Sequence, residues 1–125
     1  MEFIKRTIKV GNSAGVLLPK KLLGAEVKII VLKKPIDYKK IIFKFINPYL
    51  EEVKAICLTQ KNPLNFIVIT LKIKKIIKNS QIRINFVPES IFLKDFKEKN
   101  ILREKIKKSL IILNKDFFNN LENFI

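Results

Sequence analysis

The sequence predicts an α+β protein made of two parts that meet at Pro35. Residues 1–34 alternate apolar and polar side chains with the two-residue period of strands. From Ile36 the apolar residues recur every three or four positions, which indicates an amphipathic helix, and strand-like runs follow. Hydrophobic residues make up 48% of the 125 positions, enough for a small folded core. We therefore predict two domains, residues 1–35 and 36–125.

The first domain is predicted to be mostly strand. Phe3–Val10 and Ala14–Leu18 are expected to form strands on either side of a turn at Gly11-Asn12-Ser13, since Gly and Asn tolerate positive φ. Pro19–Gly24 suits a single helical turn, with Pro near its start and Gly at its end. Glu26–Leu32 is expected to be a third strand, and its apolar run from Ile29 predicts burial on both faces.

The second domain is predicted to alternate helices and strands. A helix from Tyr38 should end or kink at Pro48. The basic stretch Lys72–Lys78 is a connection that could be helical, and Asn114 could cap a last helix. The remaining elements are expected to be strands at Val53–Thr59, Leu64–Leu71, Gln81–Val87 and Leu110–Leu113, and helices at Glu89–Asn100 and Ile101–Ser109.

The charge and the rare residue types exclude several functions. The chain has 26 Lys and Arg against 11 Asp and Glu, a net charge of +15, and no histidine. Ser–His and Cys–His catalysis and imidazole metal sites are therefore excluded. The single cysteine, Cys57, lies in an apolar strand and is expected to be buried and inert. No apolar run is long enough to span a membrane, and the expected location is the cytoplasm.

The first part of the chain resembles a known DNA-binding family. The string Ile8–Lys21, with Gly-Asn-Ser followed by Leu-Pro-Lys, and the strand from Glu26 are similar to the SpoVT/AbrB swapped-hairpin family, Gly-Asn-Ser subgroup. The resemblance implies that two chains exchange hairpins to form one β-barrel. Independently, about 35 residues cannot enclose a core without association or a covalent cross-link.

The same resemblance implies a nucleic-acid site. Matched position by position, it gives Lys9, Asn12 and Ser13 as DNA contacts. Neighbouring basic residues extend the predicted site: Lys5, Arg6, Lys20 and Lys21. Leu17 departs from the family, because some antitoxins have an arginine there. The alternative is that Gly-Asn-Ser is only a hairpin turn and that the lysines are a solvated surface.

Residues 44–113 resemble, in pattern more than in identities, a minimal nucleotidyltransferase domain. That family places Gly-Ser after the first strand and carboxylates that hold magnesium ions further on. Here Thr59-Gln60 replace Gly-Ser, and no acid stands at the expected positions, which hold Pro63, Asn65, Arg83 and Asn85. Two-metal catalysis needs anionic oxygen ligands. The resemblance therefore implies an inactive site with no catalytic residue, metal ion or cofactor.

A second candidate phosphate site lies between two strands. Lys72, Lys74, Lys75 and Lys78 alternate with isoleucines, and a helix there would turn its lysines outward. These lysines either bind phosphate or form a solvated face.

These observations favour a non-enzymatic, basic DNA-binding protein that acts as a homodimer, as a regulator or a chromatin-associated protein. Residues 1–35 contain eight basic and two acidic residues, a net +6, and residues 36–125 contain eighteen and nine, a net +9. An RNA- or ribosome-associated factor that uses the same lysines is the first alternative. An antitoxin-like interaction protein is the second. We expect nucleic acid as partner, DNA before RNA, within a nucleoid- or ribosome-associated complex and with no membrane.

Overall fold

The computed structural model describes residues 2–124 and divides into two compact units, Met1–Pro35 and Ile36–Ile125. Helices and strands are mixed along the chain, so the predicted α+β class is confirmed. Each unit has its own sheet, one of two strands and one of five, and across residues 2–124 both sheets are open. No helix in this part of the chain is long and apolar enough to cross a bilayer.

The first unit is built around a short β-hairpin. Strands β1 (Ile8–Val10) and β2 (Ser13–Gly15) pair antiparallel through a turn at Gly11-Asn12. Gly11 has a φ of 57°, the left-handed region that a two-residue hairpin turn requires at its first position. The predicted turn is confirmed, but the predicted strands Phe3–Val10 and Ala14–Leu18 were too long: only their residues next to the turn find a hydrogen-bonding neighbour.

The second half of this unit has one helical turn and no third strand. Lys20–Leu22 forms a 3₁₀ turn, in which the backbone N–H of Leu22 donates to the carbonyl of Pro19 at 2.9 Å. The predicted helical turn is therefore confirmed. The predicted strand at Glu26–Leu32 is wrong for the single chain, as is its predicted burial: this segment pairs with no strand, and Ile30 is 66% exposed. A strand needs a paired neighbour, and the hairpin does not supply one.

The second unit is organised by a five-stranded mixed sheet. Its strands are β3 (Val53–Lys61), β4 (Leu64–Thr70), β5 (Lys75–Lys78), β6 (Ile82–Pro88) and β7 (Leu110–Leu113). Their order is β5-β6-β4-β3-β7. The β4–β6 pair is parallel, and the other three pairs are antiparallel.

Helices cover both faces of this sheet. Helix α1 (Tyr38–Ile46) begins at Asp37, whose carboxylate accepts from the backbone N–H of Lys40 at 3.1 Å. It ends before Pro48, as predicted, and a 3₁₀ helix (Asn47–Glu52) leads into β3. The other helices pack on the face of the sheet opposite α1; they are α2 (Glu89–Glu98), α3 (Asn100–Lys107) and α4 (Lys115–Asn119).

Two hydrophobic cores result, one on each face of the sheet. The first joins α1 to β3, β4 and β6 through buried residues such as Ile42, Phe66 and Phe86. The second joins α2, α3 and α4 to the opposite face, and Phe92 and Phe96 are buried there. The alternation along β4 explains this division, because successive strand residues point to opposite faces.

Two local features of the second unit test the sequence patterns directly. The segment 72–78 contains strand β5 instead of the possible helix, because its residues 75–78 pair with β6. Asn114 adopts a φ of 61°, and its side-chain oxygen accepts from the backbone N–H of Phe117 at 3.2 Å. The predicted cap of the last helix is therefore confirmed, and the left-handed backbone is one that Asn tolerates.

Cys57 lies on β3 inside the second core and is fully buried, as predicted. Burial raises the pKa of its thiol to about 12 from an ordinary value of 9.0, although hydrogen bonds with Ser109 and the backbone of Ile67 act in the opposite direction. The thiolate is the nucleophilic form, so this cysteine is unreactive at neutral pH.

The raised pKa makes the stability depend on pH. Above pH 9 an unfolded chain ionises this thiol while the folded chain keeps it protonated, so unfolding releases a proton. The free energy of unfolding should therefore fall by roughly 1.4 kcal/mol per pH unit between pH 9 and 12 from this group alone. Urea unfolding at pH 7 and pH 10, for the native chain and Cys57→Ala, measures the effect. An equal loss of stability in both chains would contradict it.

Candidate nucleic-acid interface

The hairpin brings together three of the predicted contact residues. In its register Lys9 lies opposite Ala14 and Val10 lies opposite Ser13. Because paired residues share a face and neighbours alternate, Lys9 and Ser13 point to opposite faces of the hairpin. Asn12 stands at the turn between them, and all three are exposed. The hairpin thus has an amide and a hydroxyl at its turn and a cation on one face, beside the exposed apolar side chains of Ile8 and Val10.

The other predicted residues of this unit lie outside the hairpin. Lys5 and Arg6 precede β1 in a segment without regular structure, and Lys20 and Lys21 begin the 3₁₀ turn. All four are exposed. Lys9, Asn12 and Ser13 therefore lie on one short hairpin, although Lys9 and Ser13 are on opposite faces of it, whereas the other four cations share only their unit and their exposure.

The first unit has almost no interior. Within residues 2–35 no side chain is buried, and only Gly15, Val16 and Leu22 are half-buried. Four consecutive apolar residues, Ile29–Leu32, are 66–76% exposed. Exposed apolar runs of this kind mark interaction surfaces, because leaving them in water forgoes the hydrophobic stabilisation that folding normally provides.

The lysines of segment 72–78 do not form one surface. The Lys75 side chain donates to the Tyr49 hydroxyl at 2.8 Å and lies 5.2 Å from the centre of its ring. Lys78 instead lies directly across from Arg83 of β6. Because alternate residues of a strand face opposite ways, Lys75 and Lys78 cannot contact the same ligand surface. The outward face predicted for a helix is therefore replaced by two separate positions, with Lys72 and Lys74 exposed before the strand.

A row of polar side chains crosses four strands near one end of the sheet. Lys78 of β5 lies across from Arg83 of β6, Arg83 across from Asn65 of β4, and Asn65 across from Gln60 of β3. We call these four residues the polar row. Thr59 lies at a register shift beside it and donates to the backbone carbonyl of Asn65 at 3.1 Å. All of these positions stand out in the sequence, but only the register reveals that they adjoin.

The polar row contains no carboxylate. Two of its residues, Asn65 and Arg83, stand where the resemblance to nucleotidyltransferases predicts acidic metal ligands. Glu89 follows the last residue of β6, six residues and about 20 Å of strand beyond Arg83, and pairs with Lys54. Within residues 2–124 no three His, Cys, Asp or Glu side chains are grouped as a metal would need. The row can offer cations and amides, which suit an anionic ligand.

An open cleft of about 510 Å³ adjoins the row at Gln60. It lies between the end of β3 and the start of β7, and its lining includes two lysines, Lys61 and Lys108. The lining residues are Leu58, Thr59, Gln60, Lys61, Lys108, Ser109 and Leu110. Spacing alone could not find this cleft, because Lys61 and Lys108 are far apart in the chain.

Comparison with known proteins finds a likeness among solved structures. No family model and no curated protein matches the chain. A solved structure of a nucleotidyltransferase-like protein from Exiguobacterium sibiricum 255-15 aligns with a TM-score of 0.49 and 15% identity. The alignment covers 70% of this chain and 38% of that one, so the chain spans well under half of that protein. A likeness at this level does not establish a family or an activity.

The contact with Tyr49 predicts different roles for Lys75 and Lys78. Lys75→Gln should lower the free energy of unfolding by about 0.5–1 kcal/mol, since it removes a cation–π contact with Tyr49. Lys78→Gln is the matched control on the same strand, and its free energy of unfolding should stay within about 0.5 kcal/mol of the native value. Urea unfolding measures both variants. Equal stability of the two would contradict the distinction.

Proposed function

We propose that this chain is a non-enzymatic DNA-binding protein that acts as a homodimer through residues 1–35. One observation carries the proposal: the first unit buries no side chain in its described residues yet has a net charge of +6. The exposed apolar residues need a partner surface, and the exposed cations need an anionic one. A second copy of the chain and a nucleic acid satisfy these two needs together.

The partner for the apolar residues is a second copy of the same unit. Residues 29–32 have the composition of a fully buried strand but lack a neighbouring strand in the single chain. An exchanged hairpin from the second copy would supply that neighbour and close the open two-stranded sheet. Burying these four side chains would contribute about 1–2 kcal/mol each. The similarity of residues 8–21 to swapped-hairpin proteins supports the same arrangement.

The proposed DNA contacts are the cations and the turn of the hairpin. The major groove of DNA admits a two-stranded β-ribbon, and the exposed turn of this hairpin has an amide and a hydroxyl that can meet phosphates or base edges. Lys9 would contact a phosphate, while Asn12 and Ser13 would lie at the groove. The surrounding cations would add phosphate contacts: Lys5, Arg6, Lys20 and Lys21.

The non-enzymatic part of the proposal rests on the residue types available. The chain has no histidine, and its buried cysteine is protonated at neutral pH. The polar row holds amides and cations where metal-dependent nucleotide transfer would need carboxylates. Detection of magnesium-dependent nucleotide transfer by the purified chain would refute this part alone.

The dimer can be tested by placing a charge on the exposed apolar run. Ile30→Asp should make the protein monomeric, because a carboxylate would be buried without a partner in the dimer interface. Ile101→Asp is the matched control: Ile101 is 75% exposed, against 66% for Ile30, and belongs to the second unit. Sedimentation at tens of micromolar should give a dimer for the native chain and the control. A monomeric native chain would overturn the proposal.

The DNA site can be tested at the hairpin. Lys9→Glu should weaken duplex DNA binding at least tenfold at 0.1 M salt and should flatten the dependence of log affinity on log salt, by about 0.9 for each phosphate that the protein no longer neutralises. Lys44→Glu, at an exposed position of α1, is the matched control. Fluorescence anisotropy measures both, and circular dichroism checks that each variant is folded. If the two substitutions weaken binding equally, the β-hairpin is not the DNA contact. If the native chain binds an RNA hairpin more tightly than duplex DNA, RNA is the partner instead.

A further inference from the structure

The polar row has the dimensions of a short stretch of nucleic-acid backbone. Four residues on adjacent strands span three inter-strand gaps of about 4.8 Å, or about 14 Å in all. Lys78, Arg83 and Gln60 are exposed, and Asn65 is half-buried. Two cations therefore occupy one end of the row and two amides the other, on a single face of the sheet.

The cations of the row are free to take an external anion. Three other cations of the second unit lie within 4.0 Å of a carboxylate: Lys54, Lys99 and Lys107. Among residues 2–124, neither Lys78 nor Arg83 has such a partner. Two adjacent unpaired cations repel each other, and a bound phosphate would relieve that repulsion.

The cleft extends the positive surface beyond the amides. Gln60 belongs to both the row and the cleft, and Lys108 lines the cleft next to it. The Lys61 side chain instead lies 5.8 Å from the centre of the Tyr38 ring, on the α1 face of the sheet. A backbone that follows the row would therefore meet cations at both ends and amides between them. Arg83 offers several donors in a fixed plane, which suits phosphate oxygens, and the amides can serve a phosphate or a base edge.

We infer that Lys78, Arg83, Asn65 and Gln60 form a second nucleic-acid contact, on the second unit, that binds phosphodiester oxygens without a metal ion. This inference deepens the proposed function and rests on the chain's being a nucleic-acid-binding protein.

The test removes the two cations of the row from the full chain. Lys78→Gln/Arg83→Gln should weaken binding by roughly tenfold for each cation at 0.1 M salt and should reduce the salt slope by about 0.9 for each phosphate left without its cation on duplex DNA. The matched control is Lys40→Gln/Lys44→Gln on α1, which packs on the opposite face of the sheet. Both variants remove the same charge, so a specific contact must show a larger effect for the first. Anisotropy with duplex DNA and with an RNA hairpin distinguishes the two sources of phosphodiester.

Two further measurements keep the outcome decisive. Asn65→Asp places a carboxylate in the middle of the row with almost no change in volume, and it should weaken binding as much as the removal of one cation. Binding by the native chain should be unchanged by EDTA, since no metal ion takes part. If the row variant weakens binding to only one of the two polymers, the inference is supported and that polymer supplies the phosphodiester. Equal effects of row and control variants, or a requirement for Mg²⁺, would overturn it, while a native chain that binds neither polymer would overturn the proposed function instead.

Discussion

The parallel pairing of β4 with β6 is the interaction on which the second unit depends. β4 lies at the centre of the sheet and contributes Phe66 and Val68 to one core and Ile69 to the other. Two parallel strands must be joined by a crossover connection. Here that connection contains β5, which pairs with the outer side of β6, and α2 begins where β6 ends. The same register sets Arg83 beside Asn65. Packing and the polar row are thus two consequences of one pairing.

The two units bury their apolar side chains to very different extents. The second has about ninety residues, and its sheet carries a core on each face. The first is too short to enclose a core, and its described residues leave apolar side chains in water. A chain that kept such a surface exposed would aggregate or associate. Association with an identical unit uses the same apolar residues in both copies, and it doubles the number of cations that a long polyanion would meet.

The sequence predicts those features that depend on one or two neighbouring residues. The cap at Asn114 and the end of α1 before Pro48 depend on one or two residues each, and both were predicted. Lys72–Lys78 was ambiguous because its isoleucines fit a helix as well as a strand, and only pairing with β6 decides between them. The segment 26–32 was misjudged because a strand depends on a neighbour that a single chain does not contain. Register is likewise a property of pairs of strands, so the contiguity of the polar row was not visible in the sequence.

Under the proposed function, the chemistry of the two candidate surfaces gives them different roles in nucleic-acid binding. Ammonium and guanidinium groups attract phosphates whatever the bases are, so a row dominated by Lys78 and Arg83 would add affinity without sequence preference. The hairpin turn is different, because Asn12 and Ser13 present both donors and acceptors on a ribbon narrow enough for a groove. Any discrimination between sequences would therefore arise at the turn, where a few hydrogen bonds can favour one base pair over another. The second unit would hold the backbone long enough for that discrimination to matter.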